Sequence, residues 1–596
     1  MHTIYQFGLA VIVNAGHSEI IMGTNGEMTI SLQMADKFMA IAIYRQRIMY
    51  KRYQSNYFIR RKAMENSMSL SQIQCAEKSN LLAEIRSREL LVPVVPRPTL
   101  SEHLAFLFLT VFNQLMKVAC VRYETFLFFF QTFPPWFLDW TGRLRARSAF
   151  YHAARNVPAY ARFLIANNWR SGEPPETDKE AYIRRYSTEE RCVGGALPES
   201  EIAIDESSGS TGTPYNWVRT EKERHQSHIF ISYFAKYCFG NEPYLTINAF
   251  SMGAWATGIN MGVAMGRNGI VKSTGPDIGK ILHTMRFFGP RYRYLIAGYP
   301  PFLKHLMDAA ESEGFPFEQY QLKALAGGEG MSEGLRDYLL RRFKTVFSGF
   351  GATDLEIGIA GETPIAIAIR RLCRERADVR EKLFGTDSRL PMIFQYNPLM
   401  HYIEVNNNRE LVFTISRGSL LSPRIRYNVH DEGGVVRFDE MARMLAEVGV
   451  DMEELKKAAG SGNLRLPFLW VYGRRDYTIS VMGANIYPED LEQCLYAEPE
   501  LAKITRSFCL GLAESEDASV RPRFIFEVVA EPTEQLQMTF RDAILRRLVA
   551  LNADFREAWR EYPETLVPAI QLYRLGEGPF AGDKEKIKQT RFLKAV

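Results

Sequence analysis

Ser207-Ser-Gly-Ser-Thr-Gly-Thr-Pro214 carries four hydroxyls, on Ser207, Ser208, Ser210 and Thr211, within five residues, with Gly209 and Gly212 beside them. The preceding segment, Glu201 to Asp205 (EIAID), alternates apolar and polar side chains, the pattern of a short strand. An apolar helix is expected from near Lys222. Glycines let the backbone approach an anion closely, and the amide and hydroxyl donors can point inward at phosphate oxygens. A Ser/Gly linker is the alternative, but linkers seldom sit between a strand and a helix. No Gly-Lys-Ser/Thr follows, so this is not a Walker loop.

The rest of the chain is that of a large globular protein. Its 596 residues exceed one small domain and imply two to four structural units. With 46% hydrophobic and 24% charged residues, collagen-like, disulfide-framework and largely disordered classes are excluded. Basic and acidic residues, 73 and 68, nearly cancel, and a net charge of +5 does not call for nucleic acid as a partner. Seven scattered cysteines, with no Cys-x-x-Cys pair, suit a reducing, cytoplasmic setting without a zinc site.

Residues 1–100 read as a leader, helical or partly disordered, with no basic start or cleavage site of a secretory signal. Recurrent methionines from Met22 to Met68 offer further candidate starts. Arg45 to Lys62 holds seven basic residues and no acid, interleaved with Tyr and Phe. That pattern suits peripheral contact with anionic lipid, or else a solvated helix face. Within 101–149, the apolar stretch Leu104 to Phe130 is interrupted by Asn113, Gln114, Lys117, Arg122 and Glu124. A buried helix pair or an interfacial helix is expected there rather than a membrane span. Gly142 to Asn168 reads as helix, ending at the breaker cluster that begins at Arg170.

Further motifs follow the hydroxyl-rich octet in order. Lys323 to Glu329 (KALAGGE) reads as a strand ending in a Gly-Gly turn with Glu329 at its lip. Then come Ser348-Gly-Phe-Gly-Ala-Thr-Asp354 and Arg424 to Asp431 (RIRYNVHD), the latter placing an acid after a strand-like run. Tyr472 to Glu492 and the lysine-rich tail Gly578 to Arg591 complete the series. Together these segments resemble the acyl-adenylate-forming superfamily, and within it the phenylacetate–CoA ligase branch, over roughly residues 140 to 596.

The resemblance implies an α/β fold: a large adenylating domain at 150–473, with helix-covered β-sheets, and a small mobile α+β lid at 474–596. It implies ATP held by Ser207, Ser208, Gly209, Ser210, Thr211 and Gly212, with adenine beside Gly327, Gly328 and Glu329. Thr353 would touch the α-phosphate, Asp354 would hold Mg2+, Asp431 would accept both ribose hydroxyls, and Arg474 would contact ribose or phosphate. Asp354 stands where relatives usually carry Glu, and a hard cation accepts either carboxylate. Asp476 would be the hinge, although Tyr477 follows where many relatives have a second acid. The catalytic lysine would be Lys586 or, in another register, Lys584; the usual Gly-Lys-x-x-Arg wording is not kept. His430, alone beside a turn, is assigned no role.

The implied activity joins a carboxylic acid, aromatic or otherwise apolar, to AMP with release of pyrophosphate, and then to coenzyme A as a thioester. Phe250, Trp255 and Tyr299, in segments rich in aromatic residues and poor in charge, are the candidates for the acyl pocket. Two alternatives stay open: adenylation with a protein cysteine or amine as acceptor, and a non-catalytic nucleotide-binding scaffold. The sequence names neither the acid nor the oligomeric state. In the small domain a strand at Arg523 to Val529, a helix at Thr533 to Leu551 and a strand at Ala569 to Leu575 are expected.

Overall fold

The computed structural model describes residues 96–581 apart from 207–214, 254–255, 386, 388, 419, 475–478, 482–483, 515–519 and 562. The leader to residue 95, Trp255, Asp476, Lys584, Lys586 and the octet Ser207 to Pro214 therefore lie outside the described residues.

The apolar stretch after the leader forms two helices, α1 (Leu100–Ala119) and α2 (Tyr123–Thr132), followed by α3 (Pro135–Asn156). Thr99 starts α1 through a capping box. Its hydroxyl accepts from the Glu102 amide, and the Glu102 carboxylate accepts from the Thr99 amide at 2.7 Å. Phe112 and Met116 of α1 pack with Phe126, Phe130 and Leu138 in one apolar cluster. The single helix expected over 142–168 is in fact two, because α3 stops at Asn156 and a second helix runs Pro158–Ala166. Pro158 has no amide hydrogen to continue α3, but its fixed φ suits the first position of the next helix.

Strands β1 (Ile202–Glu206) and β2 (Asn216–Thr220) form a two-stranded antiparallel hairpin whose inner pair, Glu206 and Asn216, brackets the octet. The central sheet contains β3 (Tyr244–Asn248), β4 (Gly269–Ser273), β5 (Arg293–Gly298), β6 (Gln321–Gly327), β7 (Val346–Ala352), β8 (Glu356–Gly361), β9 (Met392–Tyr396), β10 (His401–Val405), β11 (Glu410–Ile415), β12 (Tyr427–Val436) and β13 (Phe468–Arg474). Their order is β10-β11-β12-β13-β9-β8-β7-β6-β5-β3-β4. The run β4-β3-β5-β6-β7 is parallel. The remaining pairs are antiparallel. Parallel neighbours need crossovers. Four helices supply them: Ala256–Met265, Ile278–Phe288, Pro300–Ser312 and Glu333–Leu339. The chain moves from β3 outward to β4 and then back past β3 to β5, so the order of strands reverses there.

Strand β12 does not stop before Asp431, as the sequence suggests, but continues to Val436. Its register shifts between Glu432 and Gly433, and the two glycines are what allow the pairing to go on. A Cβ on Gly433 would lie 2.2 Å from the Trp470 carbonyl oxygen, and one on Gly434 2.1 Å from the Trp470 ring.

After β13 come β14 (Ile479–Val481) and β15 (Ala484–Ile486), then a small domain. Its sheet orders β16 (Thr505–Glu514), β17 (Val520–Val528) and β18 (Ala569–Arg574), with β17 and β18 parallel. Helix Glu534–Leu551 crosses over between those two strands and places Phe540, Ile544 and Leu548 against Phe524 and Phe526. Two buried polar contacts join this domain to the large one. The Glu492 carboxylate accepts from the Ser332 amide at 2.9 Å, and the Lys304 ammonium donates to the carbonyls of Ala502 and Thr505 at 2.5 and 2.9 Å.

A buried ion network sets the position of β7. Arg336 pairs with Glu333 at 2.9 Å and with Glu362, Arg370 pairs with Glu333 at 2.7 Å, and Glu362 accepts from the Ser348 amide at 2.7 Å. Burial raises the Glu333 carboxyl, but Arg336 and Arg370 outweigh it and hold it at about 2. Removing one partner strands the others as unpaired buried charge. Arg336→Met is expected to cost about 3–5 kcal/mol, read from urea unfolding. Because the Glu333 pKa is depressed, its stabilisation is complete above the unfolded value of about 4.3 and disappears toward pH 2. The urea midpoint should therefore fall across that window.

Candidate active site

Parallel strands project their connecting loops from one edge, and a reversal of strand order opens a crevice there. The carboxyl ends of β3, β5, β6 and β7 lead directly into Phe250, Tyr299, the Gly327–Glu329 turn and the Thr353–Asp354 turn. The first three are in contact. The Phe250 and Tyr299 rings meet edge to face with centroids 5.1 Å apart. Gly328 adopts φ 84° and lies against the Tyr299 ring, where a Cβ would come within 2.6 Å of Cε1. Phe250 is 1% exposed and backs the Tyr299 ring instead of facing solvent. Burial, reinforced by the Glu329 charge and only partly offset by a Ser251 hydrogen bond, holds the Tyr299 phenol well above its ordinary value. Tyr299 is therefore a neutral aromatic wall at physiological pH.

Thr353 and Asp354 form the tight turn between β7 and β8, with the Leu355 amide returning to the Ala352 carbonyl at 2.9 Å. Arg219 of β2 fastens this turn to the hairpin that brackets the octet. It pairs with Asp205 of β1 at 2.6 Å and donates to the carbonyls of Thr353 and Leu355 at 2.5 and 2.9 Å. The next helix is tied down as well, since the Ser227 hydroxyl donates to Glu356 at 2.8 Å. Burial raises the Glu356 carboxyl, yet Arg417 and His401 outweigh it and hold it at about 2. The C-terminal flank of 207–214 thus meets the Thr353–Asp354 turn through Arg219, and the N-terminal flank is tied to it through the Asp205–Arg219 pair.

Two side chains from the segment 424–431 complete the surroundings. The Tyr427 hydroxyl donates to the Asp354 carboxylate at 2.9 Å, and the Arg424 Nε donates to the Asp354 carbonyl at 2.8 Å. Arg424 is buried, lies over the Trp217 ring at 4.7 Å, and gives its other hydrogen bonds to the Ser422 carbonyl and hydroxyl. Burial, together with Arg219 and Arg191, pushes its guanidinium down to about 10, so it remains a cation at neutral pH. Arg219, Arg424 and Tyr427 escaped the sequence reading. The last two lie inside the stretch Arg424 to Asp431, where the terminal acid alone stands out in the sequence, and Arg219 stands five residues beyond the octet.

Asp431, half-buried on β12, lies opposite Arg474 of β13 in the sheet register, four residues along the strand from Tyr427. His430 has φ 61° and an exposed ring within 3.3 Å of Glu410, away from these contacts. A cleft of about 840 Å3 between helix Glu333–Leu339 and the small domain, lined by Tyr338, Arg374, Lys503 and Arg547, includes none of the sequence-selected site residues.

Among the described residues no cluster of three or more His, Cys, Asp or Glu could hold a metal ion. The single carboxylate of Asp354 nevertheless fits magnesium, which is commonly held by one or two carboxylates together with substrate phosphates and water. Tyr427 occupies one carboxylate oxygen and orients the other. If so, Mg2+ should tighten ATP binding to the parent chain and make no difference to Asp354→Asn. Tyr427→Phe should show an intermediate effect and lose about 1–2 kcal/mol of stability. Calorimetric titration with Mg2+ or with chelator, and urea unfolding, check both.

No family model matches the chain, and no curated protein matches it. Solved structures do. A 2-hydroxyisobutyryl-CoA ligase in the postadenylation state, in complex with R3-HIB-AMP, is similar with a TM-score of 0.55 at 14% identity, over 78% of this chain and 91% of that one. A second structure of that ligase, with 2-HIB-AMP, gives a TM-score of 0.54 at 15% identity, over 77% and 89%. The mixed α/β sheet with its small C-terminal domain is the fold of that ligase.

Proposed function

We propose that the chain is an ATP-dependent acid–thiol ligase of the phenylacetate–CoA ligase type. It would adenylate an aromatic or otherwise apolar carboxylic acid and then transfer the acyl group to coenzyme A. The observation that carries this reading is the convergence of Tyr299, the Gly327–Glu329 turn and the Thr353–Asp354 turn along one carboxyl edge, on a fold whose solved relatives hold acyl-AMP. The setting would be reducing and cytoplasmic, as seven scattered cysteines without a Cys-x-x-Cys pair suggest.

Attack of a carboxylate on the α-phosphate brings two anions together, so the protein must offset their repulsion as charge moves onto pyrophosphate. The Gly327–Glu329 turn would receive adenine, and Asp431 the ribose hydroxyls. The octet donors Ser207, Ser208, Gly209, Ser210, Thr211 and Gly212 would hold the outer phosphates. Thr353 would donate to the α-phosphate, with the buried charge of Arg424 behind it. When bound at Asp354, Mg2+ would neutralise part of the phosphate charge. Lys586, or Lys584 in the other register, would approach the transferring phosphoryl group. The neutral wall of Tyr299, backed by Phe250 and joined by Trp255, would receive the acyl group. For the second step the small domain would turn about Asp476, open a path for the thiol and release AMP.

Pyrophosphate exchange into ATP should depend on an added acid and fall at least about 100-fold in Lys586→Ala. CoA should then stimulate AMP release. Absence of exchange across a broad acid panel would overturn adenylation. Exchange without CoA-stimulated release would overturn the thiol step alone.

A further inference from the structure

The outer surface of α1 is apolar although no part of the described chain covers it. Leu100, Leu104, Leu107, Val111, Leu115 and Val118 are all exposed, Leu104 by 63% and Val118 by 75%, and they recur at the spacing of one helix face. Phe108 extends this surface sideways to Trp140 of α3, with rings 5.6 Å apart, and Trp136 stands one turn away, 60% exposed. Single exposed leucines are ordinary, whereas a continuous face of this kind marks a docking surface.

The charges on this face select its occupant. The acid of α1, Glu102, is turned inward, where it pairs with Arg147 at 3.0 Å and accepts from the Tyr151 hydroxyl. Its base, Lys117, points outward in the last turn, and exposed Arg122 follows. On the neighbouring helices the acids are Glu124, which is exposed, and Asp139, which lies 3.7 Å from Arg143. Trp136, Trp140 and Arg143 share one face of α3, a sequence of amphipathic rings followed by a cation that suits a headgroup boundary. A coiled-coil seam with a second copy of the chain would be a narrow stripe, but the two tryptophans and Phe108 broaden this one. No helix among the described residues is long and apolar enough to cross a membrane.

We propose that the α1–α3 surface docks in the plane of an anionic lipid bilayer. The leucine and valine face would enter the acyl boundary, with Trp136 and Trp140 at headgroup level and Lys117 and Arg122 on the lipid phosphates. Stable peripheral attachment needs two signals, here the apolar face and the cations beside it.

Vesicle sedimentation of the full chain tests this. The parent should bind phosphatidylcholine vesicles containing phosphatidylserine, with a blue shift of tryptophan emission, and bind pure phosphatidylcholine much less. Leu104→Gln, Val111→Gln and Leu115→Gln combined should weaken binding at least about tenfold with an unchanged unfolding midpoint. Should that variant fail to fold, Lys117→Glu with Arg122→Glu should weaken binding to the anionic vesicles alone. The proposal is overturned if the parent ignores both vesicles, or if the triple variant binds like the parent. It is equally overturned if the face serves only a concentration-dependent dimer that the triple variant abolishes.

Discussion

Parallel pairing of β3, β5, β6 and β7 obliges the connections that follow these four strands to leave the sheet along the same edge. Because the chain builds β4 on one side of β3 and β5 on the other, those connections diverge and leave a crevice. Every candidate residue on this edge inherits its position from that constraint. Tyr299 follows β5, Gly328 follows β6 and Thr353 follows β7, with no need for the intervening helices to carry chemistry. The Arg336–Glu333–Glu362 network supports the arrangement from beneath, since Glu362 holds the amide at Ser348 in β7.

The electrostatics of the edge are arranged by burial. Arg219 is absorbed by Asp205 and by two carbonyls, so its role is mechanical: it fastens the hairpin around 207–214 to the Thr353–Asp354 turn. Arg424 differs because its described hydrogen bonds go to uncharged oxygens, which leaves a fixed positive charge behind Asp354. A cation held in place before reaction requires no reorganisation when an anion develops nearby. Tyr427 adds orientation, presenting the short Asp354 side chain in one direction. The joint between the domains combines buried hydrogen bonds from Lys304 and to Glu492 with the Tyr338–Tyr496 ring contact, centroids 5.7 Å apart.

Local pattern made much of the fold legible. In the small domain the strand at β17, the helix Glu534–Leu551 and the strand at β18 follow from periodicity and caps. Pro158 and the Gly433–Gly434 pair mark where periodicity misleads. The first interrupts a helix that its apolar pattern runs through, and the second continues a strand where glycines suggest a turn. The order of the eleven strands was beyond reach, since pairing such as β9 with β13 joins segments more than seventy residues apart. On the site, short glycine-rich motifs point to the carboxyl edge because a close backbone approach leaves few residue choices. Arg219, Arg424 and Tyr427 were invisible for the opposite reason: a buried Arg or Tyr has many uses, and only its partners distinguish them.

The most direct measurement is a structure of the chain bound to a non-hydrolysable acyl sulfamoyl adenosine. The account predicts adenine against Gly327–Glu329, the sulfamoyl group beside Thr353 and the acyl group directed at Tyr299, all in the crevice at the carboxyl ends of β5, β6 and β7. An analogue seated in any other crevice, or these three segments contacting no common ligand, would contradict it.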